Sequence, residues 1–188
     1  MNVVALTGAG ISKAAGIPTF QDIKGLKEKL TQRYRDNHPK EFQEAYDNLI
    51  KNVTNKEPTM AHYALAKYQV PIITMNVDCL HQRAGSKKVI ELHGNHLDNN
   101  IVLYDQPINN KQESVNQILE VAEEAQRKKE DSTLLVVGTS LQTGFANTLV
   151  GLAKGCGMRI RVINKNAEEE VPKFLEEQKN KSKLNVTV

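Results

Sequence analysis

Five short segments of this chain place glycine or polar side chains directly after an apolar run, the arrangement that puts them at the end of a strand. The first is Gly8-Ala9-Gly10-Ile11-Ser12, after Val3 to Leu6. Glycines at a strand-to-helix turn let backbone N–H groups approach a phosphate, whose charge the following helix favours. The match to GxGxxG is incomplete because Lys13 stands at the third glycine position, and no acidic residue is placed to hold a ribose about 20 positions on. The same residues would serve equally as a tight structural turn. The second segment, Thr74-Met75-Asn76-Val77-Asp78-Cys79-Leu80-His81, offers an amide and a carboxylate, or alternatively two helix caps. In the third, Glu91-Leu92-His93-Gly94, His93 has the chemistry of a general base near neutral pH. The fourth is Gly138-Thr139-Ser140-Leu141, whose hydroxyls suit ribose or phosphate oxygens or a helix cap, and the fifth ends in Asn164. Each segment has a plain structural reading. Five at successive strand ends describe a nucleotide cleft with a histidine beside it.

The elements that must position these groups follow from hydrophobic periodicity. Strands are expected at Val3 to Leu6, Val70 to Thr74, Val89 to Leu92, Ile101 to Tyr104, Leu134 to Val137 and Ile160 to Ile163. Helices are expected over Ser114 to Lys129, Gly144 to Gly155 and Glu168 to Lys179. This alternation predicts an α/β fold: a Rossmann-like parallel sheet with helices on both faces. Leu26 to Val53 is charged and helical, with a break near His38-Pro39. It interrupts the alternation, so residues 24–56 are read as a helical insertion, a reduced small domain whose Leu26, Leu30, Phe42, Leu49 and Ile50 turn inward as a lid. The whole chain, 1–188, is expected to form one domain carrying that insertion.

With 39% hydrophobic and 25% charged residues in 188, the composition excludes disordered and collagen-like classes. No apolar run reaches the roughly 18 to 20 residues that cross a bilayer, and the first residues show no basic leader. A net charge of +3 with scattered lysines gives no support to a nucleic-acid surface. Cys79 and Cys156 form no CxxC pair and suggest a reducing compartment, hence a cytoplasmic location. They read as small buried hydrophobes, and His62 and His81 as hydrogen-bonded structural residues.

At this point the chain resembles the sirtuin family, the NAD-dependent protein deacylases. Gly8-Ala9-Gly10-Ile11-Ser12 with Gly16-Ile17-Pro18-Thr19-Phe20 is similar to the family's opening signature, and Met75-Asn76-Val77-Asp78 with Leu80-His81 and Ala84-Gly85 to its second. Pro58 and His62, His93-Gly94, Gly138-Thr139-Ser140-Leu141 and Asn164 follow in order. The resemblance implies NAD as co-substrate and an acyl-lysine protein or peptide as partner. It further implies that Gly8, Ala9, Gly10, Ile11 and Ser12 hold the NAD phosphates, and that Phe20 and Gln21 lie on the nicotinamide side. By the same resemblance Asn76 and Asp78 bind the ribose and carboxamide, Thr139, Ser140 and Asn164 with Gly138 meet the adenosine half, and His93 is the general base.

The departures are equally specific. No paired cysteines follow His93-Gly94, and His93, His96 and Asp98 do not make a four-ligand set, so no structural zinc is expected. Thr19-Phe20-Gln21 replaces Asp-Phe-Arg, Met75 replaces a Gln, and Tyr104-Asp105-Gln106-Pro107 replaces a Phe-Gly-Glu segment. No Pro follows within Gly138 to Asn147. The NAD-cleaving residues are kept while the protein-substrate cleft is reduced. Deacylation is therefore the expected activity, with NAD hydrolysis, ADP-ribosyl transfer or a non-catalytic NAD-binding module as alternatives.

Overall fold

A computed structural model of the chain describes residues 1–19, 22–141 and 144–184. Five parallel strands form one sheet in the order β3-β2-β1-β4-β5. They are β1 Asn2–Thr7, β2 Ile72–Thr74, β3 Val89–Glu91, β4 Ser132–Val137 and β5 Arg159–Ile163. β1 and β4 are buried along their whole length because helices cover both faces, which is why their sequences read as unbroken apolar runs.

Alternation along these strands separates two cores. Val4, Leu6, Leu134 and Val136 point to one face, against Ile118 and Ala122 of α6 (Lys111–Lys128) and Leu149 and Ala153 of α7 (Gly144–Gly155). Val3, Ala5, Leu135 and Val137 point to the other, against Leu65 of α4 (Met60–Lys67) and Val171, Phe174 and Leu175 of α8 (Ala167–Leu184). The Rossmann-like expectation holds.

The region read as an insertion is three helices. Leu26–Lys29 (α1) and Gln32–Asn37 (α2) are separated at Thr31, whose hydroxyl accepts from the Tyr34 N–H, and Pro39 opens α3 (Pro39–Val53). Leu26, Leu30, Phe42 and Leu49 turn inward as expected, into a third core completed by Ile17, Leu80 of α5 (Leu80–Arg83) and Leu103, while Ile50 is half-buried.

Ile101 to Tyr104 is not a strand. Val102 N–H donates to the His93 carbonyl and Tyr104 N–H to that of Leu30, while Ile101 and Leu103 pack into the third core. The apolar residues are there to close the gap between the sheet and the insertion. β2 also starts later than expected, at Ile72. Val70 N–H still bonds the Leu65 carbonyl at the end of α4, and Pro71 brings no N–H to the ladder.

The two histidines read as structural are so. His62 Nδ1 lies 2.8 Å from Thr59 Oγ1, and His81 Nε2 lies 2.9 Å from Thr7 Oγ1, with ring centroids 4.6 Å apart. Burial holds His62 down to about 4, and holds His81 well below the ordinary histidine range. Between those values and about 6.5 the unfolded chain binds protons that the folded chain refuses, so stability rises with pH across that window. Denaturant unfolding is accordingly expected to give a constant midpoint above pH 7. Below pH 6.5 stability should fall by up to about 1.4 kcal/mol per pH unit for each histidine. A midpoint unchanged down to pH 5 would show that the pair does not stay neutral.

Candidate active site

All five strands run the same way, so their carboxyl ends share one edge of the sheet. The connections change side between β1 and β4, and such a switch point opens a crevice at that edge. A cavity of about 300 Å³ lies there. Gly8, Ala9 and Gly10 come to it from the end of β1, Met75, Asn76 and Val77 from β2, and His93 from just past β3. Gly138, Thr139 and Ser140 come from β4 and Asn164 from β5. Leu30, Leu49 and residues 101–104 close the side facing the insertion. Phe20 and Gln21 lie outside the described residues.

The turns after β1 and β4 are built against one another. A Cβ at Gly10 would stand 2.6 Å from Gly138 Cα, and one at Gly138 (φ +64°) would stand 2.2 Å from the Ile11 nitrogen. Glycine is needed here first for backbone-on-backbone packing. Four of the turn N–H groups are committed as well: Gly8 donates to Val137, Gly10 to Gly138, Ile11 to Gly8 and Gly138 to Ile163, all through carbonyls. The Asn164 side-chain oxygen accepts from the Thr139 N–H at 3.1 Å, tying the end of β5 to that of β4.

Asn76 is held rigidly. Its amide donates to Ser12 Oγ and to Asp78 Oδ2, both at 3.2 Å, and its N–H donates to Thr74 Oγ1. Asp78 also accepts from the Ser12 hydroxyl at 2.7 Å and from the Leu80 N–H at 3.0 Å. The structure therefore brings Asn76 to the cavity wall and places Ser12, Ile11 and Asp78 behind it, buried. Asp78 instead borders a small adjoining void with Ile17 and Pro18. Ser12 and Asp78 orient the amide that reaches the wall, and Ile11 packs into the core behind it.

His93 is the one histidine among the described lining residues. Burial holds its ring below the ordinary histidine range, so at neutral pH it carries a free lone pair, as a base requires. Two lysines, Lys13 and Lys27, line the cavity without having been singled out in the sequence, and no acid lines it among the described residues. Lys27 Nζ sits 5.9 Å from the Tyr104 ring centroid. Their charges are of a kind with the many solvated lysines nearby, so only Lys13's spacing of three from Gly10 could have marked one of them.

Nothing in the segment after His93 gathers a metal: among the described residues no three His, Cys, Asp or Glu side chains are so grouped. His96 turns to the Val77 carbonyl and Cys79, and Asp98 accepts from Asn95. Asp105 instead accepts from the Gln32 and Arg33 N–H groups at the start of α2, joining this segment to the insertion.

A sequence model of the Sir2 family matches residues 8–116 of this chain, a stretch that includes the β1 turn, Asn76 and His93. The chain belongs to the Sir2 family. Among Sir2-family relatives, an NAD-dependent protein deacetylase of Sulfurisphaera tokodaii is 33% identical over 214 residues, covering 90% of this chain and 80% of that protein. The NAD-dependent protein deacetylase of Thermotoga maritima is 46% identical over 102 residues, but the match covers only 49% of this chain and 42% of the relative's length. The fold agrees with a solved Sir2 in complex with the inhibitor EX-527, 2'-O-acetyl-ADP-ribose and a deacetylated p53 peptide. That structure has a TM-score of 0.73 and 27% identity, covering 94% of this chain and 93% of the other.

Proposed function

We propose that this chain is an NAD-dependent protein deacylase. The observation that carries the reading is one cavity, with no acid among its described lining residues, that holds both the paired turns after β1 and β4 and a neutral, half-buried His93. The cavity fits a dinucleotide: hydroxyls and an amide (Thr139, Ser140, Asn164) at one end, and Asn76 with His93 at the other. Bound NAD would supply a ribose carbon from which nicotinamide can leave, open to attack by the carbonyl oxygen of an acyl-lysine. Asn76 is oriented by Asp78 and Ser12 to hold the ribose and carboxamide region. His93 takes a proton from a ribose hydroxyl, which then accepts the acyl group as its bond to the lysine nitrogen breaks and the free amine leaves. Leu30, Leu49, Ile101 and Leu103 keep water from that face. In this reading residues 24–56 form the lid.

Hydrolysis of NAD is favoured by one observation. In the wall segment the N–H groups of Val102, Leu103, Tyr104 and Gln106 are already bonded within the chain, which leaves little for an extended peptide to pair with. Product analysis of purified protein with NAD, with and without an acetyl-lysine peptide, separates the readings. We expect nicotinamide release to depend on the peptide and to yield O-acetyl-ADP-ribose. Release of free ADP-ribose without peptide would make the chain a hydrolase, and no turnover with retained binding would make it an NAD-binding module. A cytoplasmic setting suits the two free cysteines, and no described helix is long and apolar enough to cross a membrane.

A further inference from the structure

We infer that Lys13 is the cation that holds the diphosphate of the dinucleotide, exchanging Asp22 for it on binding. The inference rests on the NAD reading of the cavity. A diphosphate beside the β1 turn needs its charge met, and the N–H groups of Gly8, Gly10, Ile11 and Gly138 are already committed to carbonyls. Backbone N–H groups carry no net charge in any case, so the balancing cation must come from a side chain. Among the described residues lining the cavity only Lys13 and Lys27 are cationic, and Lys27 lies against Tyr104 on the side of the insertion. Lys13 belongs to the 3₁₀ turn Ala9–Ala15, in which residues three apart eclipse, so it stands in line with Gly10.

The present partner of Lys13 is easily given up. Lys13 Nζ is 3.4 Å from Asp22 Oδ2, an exposed pair of small worth. That oxygen already accepts from the Thr19 N–H at 2.8 Å and the Thr19 hydroxyl at 2.7 Å, so Asp22 stays satisfied when the lysine leaves. A diphosphate offers more charge and more acceptor oxygens than one shared carboxylate oxygen does.

Calorimetric titration with ADP-ribose and with adenosine, on wild type, Lys13→Gln and Asp22→Asn, tests this. Lys13→Gln is expected to weaken ADP-ribose about tenfold and adenosine less than twofold, since only the former carries the diphosphate. Asp22→Asn keeps an acceptor for Thr19 but frees the lysine, so it should bind ADP-ribose as tightly as wild type or more tightly. If Lys13 served only to brace the Thr19 turn through Asp22, both variants would weaken ADP-ribose alike, and that result overturns the assignment. So does a Lys13→Gln affinity equal to wild type. Failure of the wild-type protein to bind ADP-ribose would overturn the NAD reading itself.

Discussion

Replacing His93 by Ala is expected to lower nicotinamide-releasing turnover by about 10²- to 10⁴-fold, the usual contribution of a positioned general base. The ring sits just beyond β3, and its backbone carbonyl is anchored by the Val102 N–H. Gly94, at φ +67°, turns the chain away directly behind it, where a Cβ would stand 2.2 Å from the Asn100 carbonyl oxygen. Loss of the ring removes a base without removing a support, so ADP-ribose affinity should change by less than about threefold. The pH profile carries the second half of the prediction. Burial lowers the His93 pKa, so the base form persists below the ordinary histidine range. The acid limb of kcat/KM for the wild type should therefore fall below pH 6.5, and disappear in the residual activity of the variant. Turnover within tenfold of wild type, or an acid limb that survives the substitution, would remove His93 from the chemistry.

What the sequence showed of this site, and what it hid, follow from different forces. The strand ends were legible because a parallel sheet demands apolar runs and places whatever follows them on one edge, so the β1 turn, Asn76, His93, Thr139 and Asn164 converge as expected. Ile101 to Tyr104 reads as a strand in sequence because four apolar residues fill a core equally well as a strand or as coil, and only Leu30 and His93 as backbone partners decide between them. Asp78 and Ser12 look like ligand-binding groups by type. Their hydrogen bonds to Asn76 and to each other place them one layer behind the cavity wall, a placement that residue type cannot show. The sequence marks Lys13 only as a break in the glycine pattern, because its charge is ordinary and its cavity-facing position depends on the 3₁₀ geometry of its turn. In the long helix of the insertion Phe42 and Leu49 are legible as inward-facing, whereas the buried Ala45 and Val53 are not singled out by the sequence and Ile50, expected inside, is only half-buried.

Gly138→Ala should be among the most damaging single methyls in the described residues. Gly138 combines a left-handed backbone (φ +64°) with the tightest contact to a neighbouring turn: the added carbon would stand 2.2 Å from the Ile11 nitrogen and 2.5 Å from the Gly10 carbonyl carbon. Backbone atoms cannot swing aside as a side-chain end does, so the β1 and β4 turns must separate. That separation breaks the Gly10 N–H bond to the Gly138 carbonyl and disturbs the Gly138 N–H bond to Ile163, at the carboxyl edge where the cavity opens. Left-handed strain and two weakened buried bonds together imply a loss of roughly 3 kcal/mol or more in denaturant unfolding. Gly151→Ala provides the comparison, because that glycine lies in α7 with nothing within 4 Å of an added Cβ. There alanine should stabilise by about 0.5–1 kcal/mol through helix propensity. ADP-ribose binding separates site from scaffold: it should survive in Gly151→Ala and fall at least tenfold in any Gly138→Ala protein that still folds. Equal stability of the two variants would mean that the turns tolerate separation. The glycines of the β1 turn would then owe their place to the ligand rather than to each other.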